Sequence, residues 1–90
     1  MSSAKATVKM IKKNPCPFCD RAQALLTRKG AKVEIVDLTD QPDEILKWKE
    51  KTGWMTVPII FINDQFIGGY NDMKELDEQG KLDALLENQA

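Results

Sequence analysis

Residues 58–62 read Pro58-Ile59-Ile60-Phe61-Ile62, an apolar run too short for a helix and with no polar side chain on either alternating set of positions. A strand of that kind has two faces to bury, so it belongs inside a sheet covered on both sides. At 90 residues the chain falls below the usual domain range of roughly 100–150. It is therefore expected to form one domain, residues 1–90, around one sheet. Hydrophobic residues make up 42% and charged residues 30%, a balance that suits a globular chain and argues against disorder.

The remaining segments supply the other strands and the covering layers. Thr7-Val8-Lys9-Met10-Ile11-Lys12 alternates polar and apolar residues as a half-buried strand does. Asn14-Pro15-Cys16-Pro17 breaks that pattern, and from Phe18 onward Ala22, Leu25, Leu26 and Lys29 recur at helical spacing until Gly30. Lys32 to Leu38 is rich in β-branched residues and reads as a second strand. Thr39 to Asp43 offers cap candidates and an early proline before Ile45, Leu46, Trp48 and Lys49, a second helix expected to end near Thr52-Gly53. After the apolar run, Asn63-Asp64 predicts a turn and Gln65 to Gly68 a hairpin partner. Asn71-Asp72 then opens a third helix carrying Met73, Leu76 and Asp77, with Gly80 interrupting before Leu82, Leu85 and Leu86. The order β-α-β-α-β-β-α predicts an α/β chain with a four-stranded mixed sheet flanked by helices, the architecture of the thioredoxin fold.

Charge and composition narrow the function. A net charge of −1, with Lys12-Lys13 as the longest basic cluster, leaves no footprint for nucleic acid or an anionic membrane. No segment approaches the roughly 20 apolar residues of a membrane span, and the polar stretch Met1 to Thr7 has no signal-peptide core. The expectation is a cytoplasmic monomer with a flexible amino terminus over residues 1–6. Histidine is absent, so chemistry has to run on thiols, carboxylates, lysines or backbone dipoles.

The two cysteines form Cys16-Pro17-Phe18-Cys19 at the junction of the first strand and first helix. A Cys-x-x-Cys in that context reads as a redox pair. At a helix start, unpaired N–H groups and the positive end of the macrodipole stabilise a thiolate and lower its pKa from about 8.5 toward 3.5–7.5; Lys13 can add a nearby positive charge. Cys19, one turn on, comes within reach of the first sulfur as a more buried resolving thiol, and Pro17 suits the first helical position. Phe18 is expected to flank the pair as an apolar shelf. Two other readings stay open: half of a zinc site, against which two cysteines and no histidine fall short of four ligands, and a pair of small core residues at chance spacing.

Lys13-Asn14-Pro15-Cys16-Pro17-Phe18-Cys19, then Thr56-Val57-Pro58, then Gly68-Gly69-Tyr70-Asn71-Asp72 resemble, in order and spacing, the three signature segments of glutaredoxins. The match runs from about Val8 to Leu86 and is similar to the small bacterial dithiol type. The resemblance implies catalysis by Cys16 and Cys19 with glutathione as co-substrate and no metal. It also implies protein partners that are disulfide-containing or glutathionylated. By the same resemblance Lys13, Phe18, Thr56, Val57, Pro58, Gly69, Tyr70, Asn71 and Asp72 form the glutathione site. Pro58 is then expected to follow a cis bond, with the Val57 backbone facing the cysteinyl part of glutathione; otherwise Pro58 merely starts a strand. Asn71 and Asp72 are expected to meet the γ-glutamyl end, although helix capping alone would also explain Asn71.

Departures from the family pattern carry their own expectations. By the resemblance Lys13 is the matching cation for the glycyl carboxylate, but Trp54-Met55 stands where many glutaredoxins have arginine or glutamine, so one charge-assisted contact is expected to be missing; Lys49 or Lys51 can replace that charge or be ordinary surface residues. Trp54 either stacks near the site or covers the core. Phe18 stands where tyrosine is commoner, which implies altered potential or nucleophilicity. Two alternative functions remain. One is a dimeric glutathione-ligated iron–sulfur carrier, against which Pro17 argues. The other is a thioredoxin-like reductant served by a flavoprotein reductase.

Overall fold

The computed structural model describes residues 6–87. Its elements are β1 (Thr7–Lys12), α1 (Pro17–Arg28), β2 (Lys32–Asp37), α2 (Pro42–Thr52), β3 (Ile59–Ile62), β4 (Gln65–Gly68), α3 (Tyr70–Glu78) and α4 (Lys81–Glu87). The strands form one sheet in the order β2-β1-β3-β4. β1 runs parallel to β2 and antiparallel to β3, which pairs antiparallel with β4. Asn63 and Asp64 both take positive φ at the β3–β4 turn, as a two-residue hairpin of matching twist requires. Among the described residues no helix is long and apolar enough to cross a membrane.

Alternation along the strands divides the core in two. Val8, Met10, Ile60 and Ile62 turn to one face and pack with Ala22, Leu25 and Leu26 of α1, Met73 of α3, and Leu82 and Leu86 of α4. Ile11 and Ile59 turn to the other, against Leu38, just past β2, and Ile45 of α2, with Trp48 and Phe61 beside them. β3 is thus buried on both faces, as its composition requires. Both cysteines belong to the first cluster, and Val57 packs against both clusters.

Two sequence expectations need correction. The carboxy-terminal helix is two helices: Gln79 donates its N–H to Glu75 O at 3.0 Å, Gly80 donates to Asp77 O at 3.0 Å, and Gly80 takes φ +74. That left-handed conformation stops α3 and lets α4 start in a new direction, so the order gains an eighth element. The third helix also begins at Tyr70, with Gly69 as its cap, so Asn71 lies inside the first turn and does not cap it. Of the expected flexible segment, residues 1–5 lie outside the described residues. Ala6 is 2% exposed, and its N–H donates to Leu86 O at 2.9 Å.

Lys29, just past α1, ties the helices of the first layer together through Asp77 at 2.7 Å and Asp83 at 3.0 Å. Hydrogen bonds to Asp77 and then Asp83 raise the lysine pKa above its ordinary value. The resulting stability is complete below the ordinary lysine pKa and disappears as pH rises through the higher folded value. Lys29→Met is therefore expected to lower the melting temperature at neutral pH. That difference from wild type should shrink as pH rises past the ordinary lysine range and through the raised folded value; a difference that stays constant with pH would mean the ion pairs contribute nothing.

Candidate active site

Cys16 is the N-cap of α1, with extended backbone (φ −151°, ψ 90°), and Pro17 occupies the first helical turn. Proline has no N–H to leave unpaired there, so the break in the sequence pattern becomes a helix start. The Cys19 N–H donates to Cys16 Sγ at 3.0 Å, and the Asp20 N–H to Cys16 O at 3.1 Å. Cys16 Sγ therefore sits where a negative charge would meet an amide donor and the positive end of the helix. The two sulfurs form a disulfide with Cα atoms 5.1 Å apart. Cys16 is 8% exposed and Cys19 0%, so an incoming group reaches the first sulfur and not the second. Both cysteines lie in the first core cluster, as the core reading expects, but that reading leaves the disulfide and the helix-start position of Cys16 unexplained. Among the described residues no cluster of three or more cysteine, histidine or acidic residues could hold a metal ion.

A groove of about 370 Å³ opens beside the disulfide, lined by Phe18, Trp54, Thr56, Val57, Pro58, Gly69, Tyr70, Asn71 and Asp72. Eight of the nine residues expected around a ligand thus come together from three distant segments. Lys13 is exposed and does not line the groove. Each wall has a local cause. The Val57–Pro58 bond is cis, as expected, and Val57 O lies 3.9 Å from Cys16 Sγ. The Asn14–Pro15 bond is also cis, which the sequence did not suggest. Phe18, 45% exposed, stacks on Tyr70 with ring centroids 6.0 Å apart, and the Arg21 guanidinium lies 5.4 Å from its centroid.

The far end of the groove is the start of α3. Asp72 accepts the Gly69 N–H at 3.1 Å, which fixes the carboxylate over the cap. Its acidic charge and the first-turn amides of α3 face the same space, a combination that can meet an ammonium and a carboxylate carried by one ligand.

Trp54 does both things left open for it. Its ring lines the groove and meets Phe66 edge-on at 5.8 Å in the second core cluster. A Cβ on Gly69 would stand 3.3 Å from Trp54 Nε1 and 3.5 Å from Pro58 O, so the glycine lets the indole close over the chain. Trp54 Nε1 is buried without a hydrogen-bond partner among the described residues. Its membership of the groove wall is the site feature that sequence reasoning did not assign. Lys51 lies over the Trp48 ring at 5.1 Å, and neither it nor Lys49 lines the groove.

The glutaredoxin family model matches residues 8–67. Glutaredoxin 3 of Escherichia coli (strain K12) is 40% identical over 81 residues, covering 90% of this chain and 98% of that protein. The solution structure of a glutaredoxin from Brucella melitensis superposes with a TM-score of 0.82 at 38% identity, covering 96% of this chain and 92% of that one. The crystal structure of a buckwheat glutaredoxin–glutathione complex superposes with a TM-score of 0.83 at 28% identity, covering 90% and 76%.

Proposed function

The chain belongs to the glutaredoxin family and is a thiol–disulfide oxidoreductase, and from that premise we propose that glutathione is its reductant and Cys16 the sulfur that reacts. The observation that carries this reading is the groove, which brings three separate segments together beside the more accessible of the two sulfurs. In the proposed complex the cysteinyl part of glutathione pairs with the Val57 backbone as an added strand would, between Thr56 and Pro58. The γ-glutamyl carboxylate takes the first amides of α3 beyond Gly69, with Asn71 adding a hydrogen bond, and the ammonium pairs with Asp72. Phe18 and Tyr70 form the aromatic wall, and Lys13 reaches the glycyl carboxylate from outside the groove.

Two exchange routes follow. With a glutathionylated protein, the Cys16 thiolate attacks the glutathione sulfur, and the protein sulfur leaves and takes a proton. A second glutathione thiolate then attacks the glutathione sulfur of the mixed disulfide, releasing glutathione disulfide and the Cys16 thiolate. With a protein disulfide, Cys16 forms a mixed disulfide with one substrate sulfur and the other leaves. Cys19, as thiolate, attacks Cys16 Sγ, closing the internal disulfide and freeing the reduced protein. Two glutathiones reopen that bond, so two electrons pass per cycle and two glutathiones become one disulfide. We place this activity in a cytoplasmic monomer.

Reduction of a glutathionylated test protein, followed with either glutathione or a flavoprotein thioredoxin reductase as donor, tests the reading. Glutathione is expected to support turnover at least roughly tenfold faster, a difference of about 1.4 kcal/mol in transition-state stabilisation. Equal or faster turnover with the flavoprotein alone overturns it.

A further inference from the structure

Between β1 and α1 the chain leaves the sheet at Lys12 and reaches Cys16 through Lys13, Asn14 and Pro15, outside regular secondary structure. Asn14 is held by the turn after β2. Its backbone N–H donates to Thr39 Oγ1 at 2.9 Å, and its side-chain Nδ2 donates to Asp37 Oδ2 at 3.3 Å. Thr39 in turn donates both its N–H, at 3.0 Å, and its hydroxyl to Asp37 Oδ1. A hydroxyl has one proton. Because that proton goes to Asp37, a lone pair of Thr39 Oγ1 is directed at Asn14. Asp37 is opposite Lys12 in the parallel pair, and Leu38 N–H donates to Lys12 O at 2.9 Å, so the anchor is continuous with the sheet.

We propose that Asp37, Thr39 and Asn14 are positioning residues for Cys16, a hydrogen-bonded chain from the end of β2 that holds the sulfur over the first amides of α1. The inference rests on the reading of Cys16 as the reacting sulfur. Its physical basis is the stiffness of what lies between. Pro15 and Pro17 flank Cys16, and each ring fixes one backbone torsion, so a displacement of Asn14 passes on to Cys16 with few torsions free to absorb it. The contact at stake is the 3.0 Å donation from Cys19 N–H to Cys16 Sγ, which stabilises a thiolate more than a thiol. The chain is also electrically ready to act as an acceptor. The Thr39 hydroxyl and then its amide, together with the Lys12 charge and the Asn14 amide, hold the Asp37 carboxyl below the usual carboxylate value. Lys12 is itself 4.0 Å from Asp20 of α1, and Asp40 lines the same hollow as Asn14, Asp37 and Thr39.

The test is the ultraviolet titration of the Cys16 thiolate in the reduced protein, which needs no glutathione. Thr39→Val keeps the shape but can neither donate to Asp37 nor accept from Asn14, whereas Thr39→Ser can do both. Thr39→Val is expected to raise the Cys16 midpoint by about half a unit to one unit. Exchange at neutral pH should slow by roughly three- to tenfold as the thiolate fraction falls, with the serine variant restoring both. A lower melting temperature with an unmoved midpoint overturns the proposal, since a purely structural role predicts that pattern. If Thr39→Val does not fold, Asn14→Ala decides: it removes only the Nδ2 bond, and an upward shift supports the proposal while no shift overturns it. A wild-type midpoint near the free-cysteine value of about 8.5 would instead remove the underlying reading of Cys16.

Discussion

Cys16→Ser is expected to lose at least roughly 100-fold in both deglutathionylation and protein-disulfide reduction, effectively to background. A serine hydroxyl is not appreciably ionised at neutral pH, even beside an amide donor and a helix start, and it cannot carry a mixed disulfide. Cys19→Ser should separate the two routes. It leaves Cys16 Sγ, its amide donor and the groove in place, so deglutathionylation should stay within a fewfold of wild type. Reduction of protein disulfides through the internal disulfide should be lost, because no second sulfur lies one turn into α1 to displace the bound substrate. Steady-state rates on a glutathionylated protein and on a disulfide substrate, measured side by side, check both variants. Full activity in Cys16→Ser would end the mechanism; loss of both activities in Cys19→Ser would restrict it to the two-cysteine route.

Gly68→Ala should be the most damaging single methyl group near the groove. Gly68 holds φ +123°, where a side chain is strained, and a Cβ there would stand 2.7 Å from Asp72 Oδ2, 2.9 Å from Cγ and 3.1 Å from the Asp72 Cβ. Rotation of the carboxylate alone cannot relieve the last of these contacts. Asp72 would have to swing away and release the Gly69 amide it now accepts at 3.1 Å. Backbone strain of about 1–3 kcal/mol and a lost charge-assisted hydrogen bond together predict a loss of about 2–4 kcal/mol in unfolding free energy. The expected readout is a lower denaturant midpoint with an unchanged slope. In the proposed complex the same displacement removes the partner of the γ-glutamyl ammonium, so KM for glutathione should rise in whatever fraction remains folded. Asp72→Ala should raise KM similarly while losing less stability, because it leaves Gly68 unstrained. If Gly68→Ala melts like wild type, the close contact with Asp72 has no energetic weight.

Much of this was legible in the residues because the signals were local. Ile59 to Ile62 required a doubly covered strand, and both core clusters meet on it. Pro17 after Cys16 marked a helix start, and Asn63-Asp64 marked a tight turn. Where several local signals competed, the reading blurred. Asn71 and Asp72 are both good first-turn residues, but Gly69 provides the cap, and the Asp72 carboxylate folds back onto it. Gly80 inside a helical pattern can be tolerated or can stop the helix, and only the packing of α3 and α4 decides. Other features lie beyond any local pattern. Trp54 has the same shape whether it fills a core or walls a groove, and it does both. Asn14 meets Thr39 across 25 positions of sequence, a separation at which no spacing rule operates.

Among the described residues, Val57 alone packs with both core clusters, and its carbonyl lies 3.9 Å from Cys16 Sγ. The sheet otherwise acts as a bulkhead. Substitutions around Ile45 and Trp48 on the α2 side can repack without disturbing the sulfurs, provided Val57 keeps its seat and Trp54 its place in the groove wall. That arrangement leaves the outer surface of α2 free to diversify while the groove side preserves the reaction.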